Sequence, residues 1–69
     1  MKILTCNNIP VCISDNVDSL INRKNEIIDR IKNDDAFQIL DVEEDSISYH
    51  TGITYVTDVF EINNIEVLP

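Results

Sequence analysis

The chain has 69 residues, of which 43% are apolar and 26% are charged, and its formal net charge is −8. These values are ordinary for a globular protein and argue against intrinsic disorder, and so short a chain forms one domain, residues 1–69, with a small core. A single glycine and a single histidine exclude a glycine-rich phosphate loop and leave little material for catalysis. We therefore expect a non-enzymatic protein without a cofactor.

The N-terminal segments KILTC and IPVCI are predicted to be short extended pieces around Asn7 and Asn8. Asparagine tolerates the positive φ that a two-residue hairpin turn requires, so this pair predicts a turn. Such a turn places Cys6 opposite Ile9. A wider loop would instead bring Cys6 and Cys12 opposite each other and permit a disulfide, and the sequence leaves both arrangements open.

The next segment, about residues 15–33, is predicted to be an amphipathic helix with Ser14 or Asp15 as its N-cap. Its apolar residues follow a spacing of three and four that places them on one stripe: Val17, Leu20, Ile21, Ile27, Ile28 and Ile31. Lys24 interrupts the stripe, and its aliphatic stem can lie along the apolar surface. The stripe also fits a rough heptad, which makes self-assembly through the helix an alternative function.

The segment of about residues 37–68 is predicted to be an antiparallel meander. Three turns are expected, at Glu44-Asp45, at His50-Thr51-Gly52 and at Asn63-Asn64. They place apolar residues of successive strands opposite each other: Val42 with Ile47, Leu40 with Tyr49, Ile47 with Tyr55, Ile62 with Ile65 and Phe60 with Val67. A change of phase between Tyr55 and Phe60 predicts a bulge or bend near Thr57-Asp58.

The expected fold is therefore α+β: one amphipathic helix on a small antiparallel meander, with a short N-terminal strand or hairpin. The alternative is a small SH3-like β-barrel with a peripheral helix. No apolar run is long enough for a signal peptide or a membrane span, which predicts a cytoplasmic protein without membrane contact. Abundant Ile and Asn with scarce Ala and Gly suggest an AT-rich genome, such as a low-GC bacterium, its phages or its plasmids. For a phage protein the compartment would be the host cytoplasm.

The sequence gives little support for a metal site or for a catalytic nucleophile. Cys6, Cys12 and His50 supply three of the roughly four ligands that a zinc site needs, at spacings typical of no zinc motif. The two cysteines lie in apolar sequence without nearby cations that would lower a thiol pKa. The acidic run from Asp41 to Asp45 lacks the central glycine and ligand rhythm of a calcium-binding loop. We expect no metal site.

The charge is distributed unevenly along the chain. Residues 1–33 carry five basic and four acidic side chains, whereas residues 34–69 carry nine acidic side chains and no Lys or Arg. Phosphate contacts require clustered Lys and Arg, so direct nucleic-acid binding is disfavoured. A half of the chain with acidic side chains and no Lys or Arg favours attraction to a positively charged protein.

The leading functional hypothesis is an acidic inhibitor or regulator of the phage or mobile-element kind. Its carboxylates would imitate nucleic-acid phosphates and occupy a basic groove of a nucleic-acid-binding protein. The expected partner-binding residues are the acidic side chains of the meander: Asp41, Glu43, Glu44, Asp45, Asp58, Glu61 and Glu66. The alternative is a self-assembling structural or accessory protein, with a homodimer as its simplest form.

Overall fold

The computed structural model describes residues 1–65. Its elements in chain order are strand β1 (Lys2–Cys6), strand β2 (Ile9–Ser14), helix α1 (Val17–Lys32), strand β3 (Gln38–Val42), strand β4 (Ser46–His50) and strand β5 (Tyr55–Asn64). The five strands form one antiparallel sheet in the order β2-β1-β5-β4-β3, and α1 packs on one face of it. The α+β prediction is therefore confirmed. The sheet is not closed into a barrel.

The N-terminal hairpin turns at Asn7 and Asn8, which have φ angles of 52° and 68°. Cys6 consequently pairs with Ile9, as the two-residue turn predicts. Cys6 and Cys12 are both free thiols, so the wider, disulfide-linked loop is not formed. The hairpin also supplies β1, the strand that joins it to the rest of the sheet.

Helix α1 begins after Asn16, whose side chain accepts a hydrogen bond of 2.9 Å from the backbone N–H of Asp18. The predicted cap was one or two residues too early. Ser14 instead supports the cap, since its hydroxyl oxygen accepts a bond of 3.0 Å from the N–H of Asn16. Leu20 and Ile28 are buried against the sheet. Part of the apolar stripe that suggested self-assembly is therefore used within the protein's own core, whereas Ile21 stays exposed.

The β3–β4 turn follows the prediction, because Val42 pairs with Ile47. A bulge between Ile39 and Asp41 then shifts the register, so that Ile39, and not Leu40, faces Tyr49. A bulge inserts one residue without a marked sequence signature. For that reason the alternation of apolar residues did not reveal it.

The β4–β5 connection is longer than the predicted three-residue loop. Strand β5 begins at Tyr55, and the N–H of Thr51 donates a hydrogen bond of 3.0 Å to the carbonyl of Thr54. Gly52 has a φ of +94°, which suits glycine. The extra residue moves Tyr55 opposite His50, where its side chain is 76% exposed. The predicted Ile47–Tyr55 pair is therefore wrong.

Two further predictions are wrong for strand β5. It continues through Asn63 and Asn64, where a turn was expected, because both residues pair with β1. Its pairing with β4 is regular through Thr57 and Asp58, so the predicted bulge is absent there. Ile65 lies beside the start of β1, and its N–H donates to the carbonyl of Met1. The predicted pair of Phe60 with Val67 lies outside the described residues.

The core lies between α1 and the sheet. Within residues 1–65 its buried side chains are Leu4, Leu20, Ile28, Ile47, Tyr49 and Phe60. Strands β1, β4 and β5 all contribute to it. The ring of Phe37 packs against the ring of Tyr49 with centroids 4.8 Å apart. The opposite face of the sheet carries exposed apolar side chains, among them Ile13 and Val59.

Candidate functional site

The acidic residues of the β3–β4 connection lie together at one end of the sheet. Asp41 pairs with Ser48 near the end of β3. The N–H of Glu43 donates to the carbonyl of Ser46 at 2.9 Å, and its carboxylate accepts a weaker bond of 3.3 Å from the Ser46 hydroxyl. Glu44 follows in the turn and is exposed. This arrangement presents the carboxylates to solvent on a turn with a defined backbone.

Asp45 connects the turn to the helix. Its carboxylate lies 2.9 Å from the ammonium of Lys24, whose side chain is only 6% exposed, whereas that of Asp45 is 67% exposed. The carbonyl of Asp45 also accepts a hydrogen bond of 2.8 Å from the N–H of Phe60. The turn is therefore held from two directions, by a helix side chain and by the backbone of β5.

A cleft of about 510 Å³ lies beside this turn. Its walls come from three elements: Ile21 and Lys24 of the helix, Glu44 and Asp45 of the turn, and Phe60, Glu61, Ile62 and Asn63 of β5. The fold thus brings Glu61 to Glu44 and Asp45. One cation, Lys24, lines the cleft, and it is already paired with Asp45.

Asp58 has a different environment from the other predicted site residues. It lies on the helix-covered face of the sheet, opposite Ile47 of β4. One carboxylate oxygen accepts a bond of 2.9 Å from the hydroxyl of Tyr49, and the other accepts a bond of 2.9 Å from the side-chain amide of Asn7. The oxygen of that amide accepts from the N–H of Val59 at 2.9 Å. Both Asp58 oxygens therefore take part in a network that joins the β1–β2 turn, β4 and β5.

Burial and the nearby carboxylate of Asp58 raise the pKa values of two neighbouring side chains. Burial, followed by the hydrogen bond to Asp58 and its charge, raises the pKa of Tyr49 from 10.0 to about 12. Burial and then the charge of Asp58 raise the pKa of the Cys6 thiol above its ordinary value of 9.0. A raised thiol pKa lowers the thiolate fraction at neutral pH, which makes Cys6 a poor nucleophile.

These shifts predict that the protein loses stability in alkaline solution. The folded state binds the Tyr49 proton more tightly than the unfolded state, so this contribution is complete below pH 10 and is lost as pH rises towards 12. Between about pH 8 and about pH 11 we expect the free energy of unfolding to fall by about 1.4 kcal/mol more in the wild type than in Tyr49→Phe. Urea titrations at about pH 8 and about pH 11 measure the difference.

Two variants control this experiment. Tyr55→Phe removes an exposed phenol and should leave the alkaline decline as it is in the wild type. Asp58→Asn removes the charge that acts on both Tyr49 and Cys6 and should make the decline shallower. An identical decline in wild type and Tyr49→Phe would contradict the assignment.

The structure places Glu44, Asp45 and Glu61 around one cleft, which Asp41 and Glu43 do not line. Asp58 is separate from this group. Glu66 lies outside the described residues. Sequence reasoning missed the role of Lys24 as the partner of Asp45. The available signal was a cation within an apolar helical stripe, which often indicates a buried carboxylate contact.

Within residues 1–65, no three His, Cys, Asp or Glu side chains are grouped in a way that could hold a metal ion. The helix found in this part of the chain is too short and too polar to cross a membrane. Comparison with known proteins adds no relationship: no family model, no curated protein and no solved structure matches the chain.

Proposed function

We propose that the protein is a small non-enzymatic module that binds a positively charged protein and inhibits or regulates it. One observation carries the proposal: Glu44 and Asp45 of the turn and Glu61 of β5 line one cleft, although they are far apart in sequence. Among residues 1–65, Asp45 is the member of this trio that forms an ion pair. Glu44 and Glu61 are left to interact with a partner.

Electrostatics explains why such a surface would select a basic partner. Residues 34–69 carry no Lys or Arg, so the charge of this half of the chain is not balanced locally in sequence. Carboxylates of one sign increase the rate of encounter with a basic surface and disfavour acidic partners. Their attachment to a turn fixed by Lys24 and Phe60 lowers the entropy that binding would cost.

A nucleic-acid-binding protein is the partner class that suits this surface best. Such proteins contain grooves lined with Lys and Arg that contact phosphates at regular spacing. Carboxylates on a fixed turn and strand can occupy the same grooves. We assign the contact to Asp41, Glu43, Glu44, Asp45 and Glu61, and we leave out Asp58 because its carboxylate is engaged internally. Inhibitors encoded by phages or mobile elements are the functional class we favour.

The test reverses the charges of two side chains that do not stabilise the fold through hydrogen bonds or ion pairs in the described part of the chain. Neither Glu44 nor Glu61 forms a side-chain hydrogen bond or ion pair within the described part of the chain. We expect Glu44→Lys combined with Glu61→Lys to fold normally and to bind the partner at least about tenfold more weakly. The partner is first captured on immobilised wild-type protein at about 0.15 M salt and released at about 1 M, where screening is strong. Affinities are then measured with the purified partner.

The matched control carries the same change in net charge at other exposed sites. Asp29→Lys combined with Asp35→Lys alters the helix and the segment after it and leaves the cleft intact. This double variant should retain most of the wild-type affinity. Equal loss of affinity in both double variants would show that only total charge matters, and binding that withstands high salt would contradict an electrostatic contact.

A further inference from the structure

Strand β5 has ten residues, and each neighbouring strand pairs with only half of it. Strand β4 pairs with residues 55–59 on one edge, and β1 pairs with residues 60–64 on the other edge. The last contact on the β4 edge is the bond from the N–H of Phe60 to the carbonyl of Asp45. Among residues 1–65, no strand covers this edge beyond Phe60. An uncovered edge is a template for a further strand.

The register identifies which backbone groups are available. The N–H and C=O of one strand residue point to the same edge, and successive residues alternate between edges. The backbone N–H of Phe60 points towards β4, and the backbone carbonyl of Val59 accepts from the N–H of Asn7 on the β1 side. The backbone groups of Ile62 and Asn64 therefore point to the uncovered edge. Their N–H and C=O groups therefore face the cleft side of β5, and Ile62 lines the cleft.

The cleft beside this edge has two different sides. Its volume of about 510 Å³ is within the usual range of ligand-binding clefts. The helix-covered side of the cleft is apolar through Ile21, Phe60 and Ile62, whereas Glu61 projects towards the other face of the sheet. A strand laid along this edge would alternate its side chains between these two environments.

Charge decides between the possible occupants. A second copy paired edge to edge would bring two sets of Glu44, Asp45 and Glu61 together, and like charges opposite each other destabilise a strand pair. A segment that bears Lys or Arg meets complementary charge in the same place. The uncovered edge thus favours a basic chain over self-association.

We propose that the edge of β5 at Ile62 binds an extended peptide segment as a sixth strand, with basic residues alternating with apolar ones. This inference rests on the proposed function, because it specifies how the basic partner engages the acidic cleft. Backbone hydrogen bonds would supply affinity, and the alternating pockets would supply sequence preference.

The experiment uses a fluorescein-labelled peptide, Lys-Val-Lys-Val-Lys-Val-Lys, and the same peptide with N-methyl groups on its three central residues. Both peptides have the same charge, but the methylated one cannot donate the central backbone hydrogen bonds. Fluorescence anisotropy with the complete protein should show binding at least about tenfold weaker for the methylated peptide. Amide hydrogen exchange adds a position-specific measurement, because exchange at the backbone amides of Ile62 and Asn64 should slow on binding.

The amides of Glu61 and Asn63 face β1 and serve as internal controls that should change little. Equal binding of both peptides without slower exchange at Ile62 would overturn strand addition. Failure of both peptides to bind would overturn it as well. Neither result bears on the captured partner and the charge-reversal variants, which test the proposed function separately.

Discussion

Replacing Phe60 with alanine is expected to unfold the protein at room temperature. The side chain is 3% exposed and belongs to the core between α1 and the sheet. Removal of a buried phenylalanine costs about 3–5 kcal/mol, from lost apolar burial and the cavity left behind. A core of this size supplies a total stability of about the same magnitude. Circular dichroism at 25 °C and a urea titration should therefore show little cooperative unfolding in Phe60→Ala.

The neighbouring residue provides the control. Val59 lies on the same strand but points to the other face, where it is 44% exposed. Val59→Ala should cost less than about 1 kcal/mol, since it removes little buried area. If Phe60→Ala unfolds cooperatively at a urea concentration close to the wild-type midpoint, the core does not have the packing described above.

The ion pair between Lys24 and Asp45 predicts opposite effects for its two partners. Asp45→Ala leaves a buried ammonium without its carboxylate and should destabilise the protein by about 1–3 kcal/mol. This range lies below that for fully buried pairs, because Asp45 is largely exposed and solvent screens the interaction. Lys24→Met replaces the charge with an apolar side chain of similar length on a buried stripe. It should leave stability unchanged or increase it by about 1 kcal/mol.

The double variant tests whether the effects are coupled. With methionine at position 24, no buried charge is left without a partner. Adding Asp45→Ala should therefore change stability by less than about 0.5 kcal/mol. Urea titration of the wild type, both single variants and the double variant completes the cycle. Additive effects in the double variant would show that Asp45 stabilises the turn independently of Lys24.

Features that depend on nearby residues could be predicted from the sequence. The helix was expected at about 15–33 and extends over Val17–Lys32 because the apolar spacing defines it. The turns at Asn7-Asn8 and Glu44-Asp45 have the predicted pairs next to the turn, Cys6 with Ile9 and Val42 with Ile47, since these pairs depend on a few adjacent residues.

Features that depend on distant residues could not be predicted in this way. The Asn63-Asn64 pair resembles a turn, yet pairing with β1 keeps it in an extended strand. Tertiary contact here overrides a local preference. The same reason explains why Asp58 was grouped with the surface acids: its partners are Asn7 and Tyr49, one of them 51 residues away. The contribution of Glu61 to the cleft likewise required knowledge of how β5 passes the turn.

The division of β5 between two hairpins has a consequence for how quickly the molecule folds. Strands β3, β4 and β5 are connected by short loops, so closing them costs little chain entropy. Strand β1 must find residues more than fifty positions away, as the 52-residue separation of Asn7 and Val59 illustrates. Contacts of such high sequence separation slow folding. We therefore expect the acidic turn to form early and the N-terminal hairpin to dock in the rate-limiting step.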